Sequence, residues 1–480
     1  MNDRKGFGSN FGFLMAAVGS AVGLGNIWGF PNKMGANGGF PFLILYLALA
    51  LCCGVIIMLG ELALGRKTGH GAVGAYQSIS KRFKWLGWLG IAAAALIFSF
   101  YSALGGYCLR YVVVNFGNLI GAEFGTNGVG GADVFQGLLS QPDVSIAFAL
   151  AFMLITMLVV MSGVGGGIER VCSVGMPALF FILIICIIRS CTLPGAVDGL
   201  KYMFVPGWAM ANGIIDEAPG FWRVLTAAGG QMFFSLSLGA GVMITYGSYL
   251  DKKQDLGKST MIIVGMDTVV ALMAGLCVIP GRFALDPNGA LGGPELLFIT
   301  MQNVFDKMGP AGPVFGILFY LLVFFAAISS SISMLEVIVA HFCDKAREKG
   351  KGDRRKLYSA IVVVICAALC ALVCADGMGS NHISPAELLG LAGAKLPGWS
   401  TSWLGLFDSV AEGLLMPLGA LLMCLMISWE LKPDALRQEI LLNGENRPWV
   451  YDFFRLCVKY ITPLCMLMIL YGQISDFFIV

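Results

Sequence analysis

Gly19-Ser20-Ala21-Val22-Gly23-Leu24-Gly25-Asn26-Ile27-Trp28-Gly29-Phe30-Pro31 lies inside an apolar segment that begins near Phe11 and is long enough to enter a bilayer. Glycine in a helix interior costs about 1 kcal/mol against alanine. Gly19, Gly23, Gly25 and Gly29, with an amide at Asn26 and then Pro31, break the helix near residues 22–25. Broken helix at membrane depth is tolerated only where the freed backbone groups face protein or line a cavity. There they are useful: carbonyls ending one half-helix hold a cation, and N–H groups starting the next hold a carboxylate. The competing reading is close helix packing through small residues. A second broken segment at 231–241, Q-M-F-F-S-L-S-L-G-A-G, tips the balance. Corresponding interruptions in two halves of a membrane chain point to a binding site built from inverted repeats. The expectation is an ion-coupled transporter with its site at the two breaks.

Composition agrees. Of 480 residues, 57% are hydrophobic and 12% charged, with mean hydropathy +0.80; a soluble domain carries about 25% charged residues. The net charge of +2 and the lack of a concentrated basic surface argue against nucleic acid as a partner. The 14 cysteines and 3 histidines show no metal-ligand spacing, and the cysteines read as small buried hydrophobes. No nucleophile–base pair is visible, so an enzyme is not expected. The N-terminus has no cleavable signal pattern.

A spanning helix needs about 20 apolar residues. Eleven segments qualify: 10–33, 40–66, 87–119, 144–162, 167–190, 220–250, 257–282, 311–343, 357–375, 403–431 and 452–475. The fold class is therefore an all-α polytopic membrane protein forming a single transporter domain. Repeat one covers about 10–190 and repeat two about 220–431, each of five helices, with helices 1 and 6 broken. Helix 11, about 452–475, is appended. Basic residues cluster in alternate loops, most densely from Lys345 to Lys356, which places those loops in the cytoplasm. The N-terminus is then inside and the C-terminus outside. A short amphipathic helix is expected at 294–305. Among intramembrane polar groups, Glu61, Tyr101, Asp267 and the cluster Ser329, Ser330, Ser331 and Ser333 stand out, since such groups are costly and usually functional. Asp267 has no nearby Lys or Arg in its own segment, so an ion or a proton neutralises it.

These motifs resemble the neurotransmitter:sodium symporters, bacterial branch, in order along nearly the whole chain. G-S-A-V-G-L-G-N-I-W-x-F-P with N-G-G at 37–39 resembles the family's first helix. Residues 231–241 resemble its sixth helix, A-A-I-S-S-S-I-S at 326–333 its eighth, and G-I-E-R at 167–170 the turn before its fifth. The resemblance implies a sodium-coupled symporter importing an amino acid or related amine by alternating access. The alternatives are a proton-coupled carrier on the same fold and a receptor that binds without transport. It implies two Na+ sites. One would use the carbonyl of Ala21 with Asn26, Ser235, Asp267 and the substrate carboxylate. The other would use the carbonyls of Gly19, Val22 and Ala326 with the hydroxyls of Ser329 and Ser330. The substrate carboxylate would meet Leu24, Gly25 and Tyr101, and its amine Phe234, Ser235 and Ser237. Ile97, Phe234, Ala240, Ser330 and Met334 would line its side chain. Arg4 and Asp344 would form an inner gate. The spacing of Gly167 and Pro177 matches a helix that unwinds to release sodium.

Three departures from the family pattern carry meaning. Gly29 replaces an arginine, and Ala411 stands where its acidic partner belongs, with Asp408 and Glu412 nearby. The expectation is that this outer pair is lost as a unit, since a lone buried charge is costly. Ala240 replaces a phenylalanine seen in a bacterial member, which leaves room for a bulkier substrate. Members that do without chloride carry a carboxylate beside the first sodium site, usually one turn beyond Asp267; that position is Ala271 here. Asp267 alone then offsets one of two sodium charges, so chloride is not expected. A monomer in the inner (plasma) membrane suffices for transport on this reading.

Overall fold

The computed structural model describes residues 6–126, 128–288, 293–352, 354–390, 398–441 and 448–478, and among them the regular structure is entirely helical. The first apolar segment forms α1 (Asn10–Ala21) and α2 (Gly25–Ala36), bent by 44° across residues 22–24. Ser9 starts α1, its hydroxyl accepting the Gly12 N–H at 2.9 Å. The later spans are α3 (Phe40–Thr68), α4 (Lys81–Ile120), α5 (Pro142–Met161) and α6 (Val164–Cys191). The 220–250 segment divides into α7 (Phe221–Ser235) and α8 (Val242–Gly247). Then come α9 (Leu256–Leu285), α10 (Gly309–Glu348), α11 (Arg355–Gly379), α12 (Trp403–Leu431) and α13 (Pro448–Ser475). Among the described residues nine helices are long and apolar enough to span, and α1 with α2 makes a tenth. Neither α7 nor α8 is long enough alone, because residues 236–241 between them are not helical.

Each expected segment is helical, and several extend further. The third reaches back to Lys81 and the eighth forward to Glu348. The expected helix at 294–305 is present as the turns Leu296–Thr300 and Met301–Asp306. In this conformation Arg170–Cys191 runs through Pro177 as α-helix. Only the opening turn, Val164–Glu169, is loosened, into a π-helix. A lost N–H at one proline is insufficient to break a helix whose other ladder bonds are intact.

Burial follows position in the bundle. In α4, 78% of the most apolar stretch is buried inside the protein, against 28% in α6. α4 and α10 form the most extensive helix pair. α1 is enclosed by α6, α9 and α10, and α2 by α7 and α9. The outer helices turn large apolar side chains outward, Phe181, Val364 and Leu464 among them, as a lipid-facing surface requires. The two broken segments thus meet at the centre, away from lipid.

Candidate functional site

At the first break, Val22 adopts an extended conformation (φ −76°, ψ 103°) and frees the carbonyls ending α1. The serines of α10 face them. The Ser329 hydroxyl lies 3.0 Å from the Ala326 carbonyl and 3.4 Å from that of Val22. The Ser330 hydroxyl lies 3.4 Å from the carbonyls of Gly19 and Val22. A hard cation with oxygens at about 2.4 Å holds adjacent oxygens about 3.4 Å apart. All five sequence-expected groups converge, and their donor set and spacing suit sodium.

The second expected cation group forms around Asp267, which is fully buried on α9. Asn26 donates its amide to Asp267 Oδ1 at 2.7 Å. The Ser235 hydroxyl donates at 2.9 Å to Oδ2, and Tyr46 on α3 donates to the same oxygen at 3.2 Å. Among the described residues Asp267 makes no ion pair with lysine or arginine. Its charge is held by three neutral donors in a dry setting, which favours a cation as counter-ion. Ala21 is buried at the end of α1.

Several of the residues expected to bind an amino acid are brought together. Leu24 N–H donates to the Tyr101 hydroxyl at 2.8 Å, so the expected carboxylate ligands are already neighbours. A Cβ on Gly25 would stand 2.9 Å from the Phe234 ring; only glycine lets the backbone approach that ring so closely. The Tyr101 and Phe234 rings lie 6.3 Å apart. Ile97 and Met334 are buried one helical turn from Tyr101 and Ser330, on the same helix faces. Ala240 is buried in the non-helical stretch, its carbonyl 3.1 Å from where a side chain on Gly90 of α4 would begin. Ser237 takes φ +53° and donates its hydroxyl to the Ser20 carbonyl at 3.0 Å. Gly239 has φ +78°, and a Cβ there would lie 2.2 Å from the Met416 carbonyl. Its N–H is held by Glu61 at 2.7 Å, which accounts for that buried carboxylate.

Four participants were missed in the sequence. Tyr46 hides in an unbroken apolar run. Gln231 donates to the Gly25 carbonyl at 2.6 Å, and its Oε1 lies 2.9 Å from where a Gly29 side chain would begin. Ser20 shares its carbonyl between Ser237 and Ser330, the latter at 3.2 Å, and donates its hydroxyl to Ser333 at 2.8 Å. The fourth corrects an expectation. The outer charged pair is not lost: Lys33 on α2 pairs with Glu412 on α12. Lys33 is one helical turn beyond Gly29, and Glu412 one residue beyond Ala411, so the pair forms from positions close to those of the family pattern. At the inner end, Asp344 accepts the Gly71 N–H at 3.2 Å and lies 3.7 Å from Arg347. Arg4 lies outside the described residues.

Residues 4–127 and 132–478 match the model of the sodium:neurotransmitter symporter family. The chain belongs to that family. It is 36% identical to the uncharacterized sodium-dependent transporter YhdH of Bacillus subtilis, over 97% of each chain. It is 24% identical to the sodium- and chloride-dependent GABA transporter ine of Drosophila melanogaster, over 76% of this chain and 42% of that one. Its fold is similar to that of MhsT solved in complex with L-phenylalanine, with TM-score 0.83 and 33% identity over 98% of this chain and 100% of that one. This symporter is therefore a multi-pass membrane transporter and not an enzyme.

Proposed function

We propose that the protein imports an amino acid with a bulky apolar side chain, driven by two sodium ions, through alternating access. The observation that carries this reading is the meeting of both helix breaks with two separate oxygen clusters, around Ser329–Ser330 and around Asp267. Eleven spans follow when α1–α2 and α7–α8 are each counted once. Helices 1–5 and 6–10 are inverted repeats, residues about 10–190 and 220–431 of one transporter domain, with α13 appended. The first sodium site consists of Ala21, Asn26, Ser235 and Asp267 with the substrate carboxylate. The second consists of Gly19, Val22, Ala326, Ser329 and Ser330. The carboxylate docks on Leu24, Gly25 and Tyr101, and the amine on Phe234, Ser235 and Ser237. The side chain fills the space of Ile97, Phe234, Ala240, Ser330 and Met334. The small Ala240 and the phenylalanine complex of the similar MhsT support a large apolar side chain. Chloride is not required, one chain suffices, and the inner membrane holds it with the N-terminus in the cytoplasm and the C-terminus outside. Arg4 and Asp344 close the inner side.

A second reading, proton coupling through Asp267, is favoured by the absence of a cationic partner for that carboxylate among the described residues. Counterflow of labelled phenylalanine in proteoliposomes tests both. Exchange that requires sodium supports the symporter, exchange without sodium supports the proton carrier, and no exchange leaves only a receptor.

A further inference from the structure

The cytoplasmic ends of α4 and α10 carry charges that the transport site does not use. α4 opens Lys84-Trp85-Leu86-Gly87-Trp88, and α10 ends through His341, Asp344 and Lys345. The two helices run antiparallel, and the rings of Trp88 and His341 meet edge to face with centroids 4.8 Å apart. Lys84 is one turn before Trp88, and Lys345 is one turn after His341. Because the helices are antiparallel, both steps lead the same way, out of the bundle and past the same contact. Both ammonium groups are exposed, and both act electrostatically on the His341 ring. Neither joins an ion pair among the described residues.

Acidic groups nearby do not neutralise them. Asp344 also reaches His341, but its carboxylate is engaged by the Gly71 N–H and by Arg347. Glu348 is exposed at the end of α10, and Lys81 and Arg82 add further positive charge at the start of α4. Two ammonium groups one turn beyond the same ring contact leave this end of the helix pair positively charged, and an anion complements it. The flanking surface says which kind. Trp85 and Trp88 are 48% and 40% exposed, an uncommon arrangement except at the membrane–water boundary, where indole rings sit at headgroup level. Long lysine side chains at a helix end reach the same level.

We infer that the surface formed by the cytoplasmic ends of α4 and α10 binds an anionic phospholipid, its phosphate held by Lys84 and Lys345 and its glycerol and upper chains against Trp85 and Trp88. The inference rests on the proposed orientation only in placing these ends at the cytoplasmic leaflet. Its test does not involve transport, so it fails or stands separately. The lipid would pin the inner end of α10, the helix that also carries Ser329 and Ser330.

The purified full chain, stripped of lipid in detergent, is titrated with phosphatidylglycerol, with phosphatidylcholine and with inorganic phosphate while its thermal unfolding is followed. Phosphatidylglycerol is expected to raise the unfolding temperature by several degrees more than phosphatidylcholine, with apparent affinity falling as salt rises. Lys84→Gln/Lys345→Gln should weaken phosphatidylglycerol about tenfold or more, at roughly one Lys–lipid interaction per lysine lost. Lys253→Gln, an exposed lysine in another loop, should behave as wild type. If the double variant does not fold, each single variant is expected to lose part of the shift. Equal shifts with both lipids, or a phosphatidylglycerol shift that survives in the lysine variants, overturn the inference. A shift reproduced by inorganic phosphate alone also overturns it, by assigning the surface to a soluble anion.

Discussion

Removing the charge of Lys33 should open the outer side of the transporter more than removing that of Glu412. Lys33 is 25% and Glu412 9% exposed, so the pair sits between a surface and a buried ion pair. Exposed pairs contribute about 0–1 kcal/mol, while deleting one partner of a buried pair costs about 3–5 kcal/mol. An intermediate value near 2 kcal/mol is about 30-fold in the ratio of closed to open states. The two partners are not equivalent. Asp408 lines the same cavity of about 280 Å³ with Lys33, Arg223, Glu412 and Gln473. Glu412→Gln leaves Lys33 with Asp408 as an alternative partner, and should cost only about 1 kcal/mol. Lys33→Met leaves two carboxylates together with their nearest cation gone, and should cost about 2–3 kcal/mol. Spin labels on the outer ends of α2 and α12 report the populations in substrate and sodium. The double variant Lys33→Met/Glu412→Gln should recover part of the loss, because it removes an uncompensated charge. Effects that add within about 0.5 kcal/mol would refute a direct pairing, and equal single effects would refute the role given to Asp408.

Ser329→Ala/Ser330→Ala removes two cation oxygens, at roughly 1.5–3 kcal/mol each, and should abolish sodium-stimulated binding of phenylalanine; unchanged sodium affinity by scintillation proximity contradicts the site. Gly167→Ala places a Cβ 2.1 Å from the Val159 carbonyl, which should strain the start of α6 by about 1–3 kcal/mol and slow sodium release, so an unaltered transport rate counts against a role for this turn. Wild-type uptake should be the same with and without chloride, and an acidic liposome interior, which supplies the proton, should accelerate it if Asp267 returns protonated. Asp267→Asn should lose both sodium-driven uptake and that pH response, and a pH response surviving in the variant assigns it elsewhere.

The helices and both breaks were legible because they rest on local chemistry. Glycines, an amide and a proline in an apolar run leave few options at membrane depth. Donor sets carried by motif, such as Ser329 with Val22, were also readable, because each sits in a short string specific to the family. What escaped depends on distance between helices. Tyr46 is one aromatic in a run of apolar residues, and nothing local marks its hydroxyl as lying 3.2 Å from Asp267. The Lys33–Glu412 pair escaped for a related reason. Position-by-position matching looks for charge where relatives keep it, whereas electrostatics asks only that the two side chains still reach each other. A shift of one turn on α2 and one residue on α12 preserves that reach.

Ser20 shows how the two cation groups and the substrate space are joined. Its carbonyl takes the Ser237 hydroxyl from the second break and the Ser330 hydroxyl from α10, while its own hydroxyl donates to Ser333, which in turn donates to the Ser330 carbonyl at 2.7 Å. A hydroxyl that turns its oxygen toward a cation still needs an acceptor for its proton, and such outer partners orient the ligand. On the proposed assignment the carbonyls of Gly19 and Val22 are themselves in the cation's donor set. The Ser20 carbonyl is outside that set and lies closer to the Ser330 hydroxyl than either of them. It can therefore keep the proton while the Ser330 oxygen faces sodium. The same carbonyl holds Ser237 in its left-handed conformation, a geometry that costs a non-glycine residue of order 1 kcal/mol. The Ser330 hydroxyl on α10 and the Ser237 turn at the second break thus share one peptide group, which on the proposed assignment links the sodium site to the substrate space.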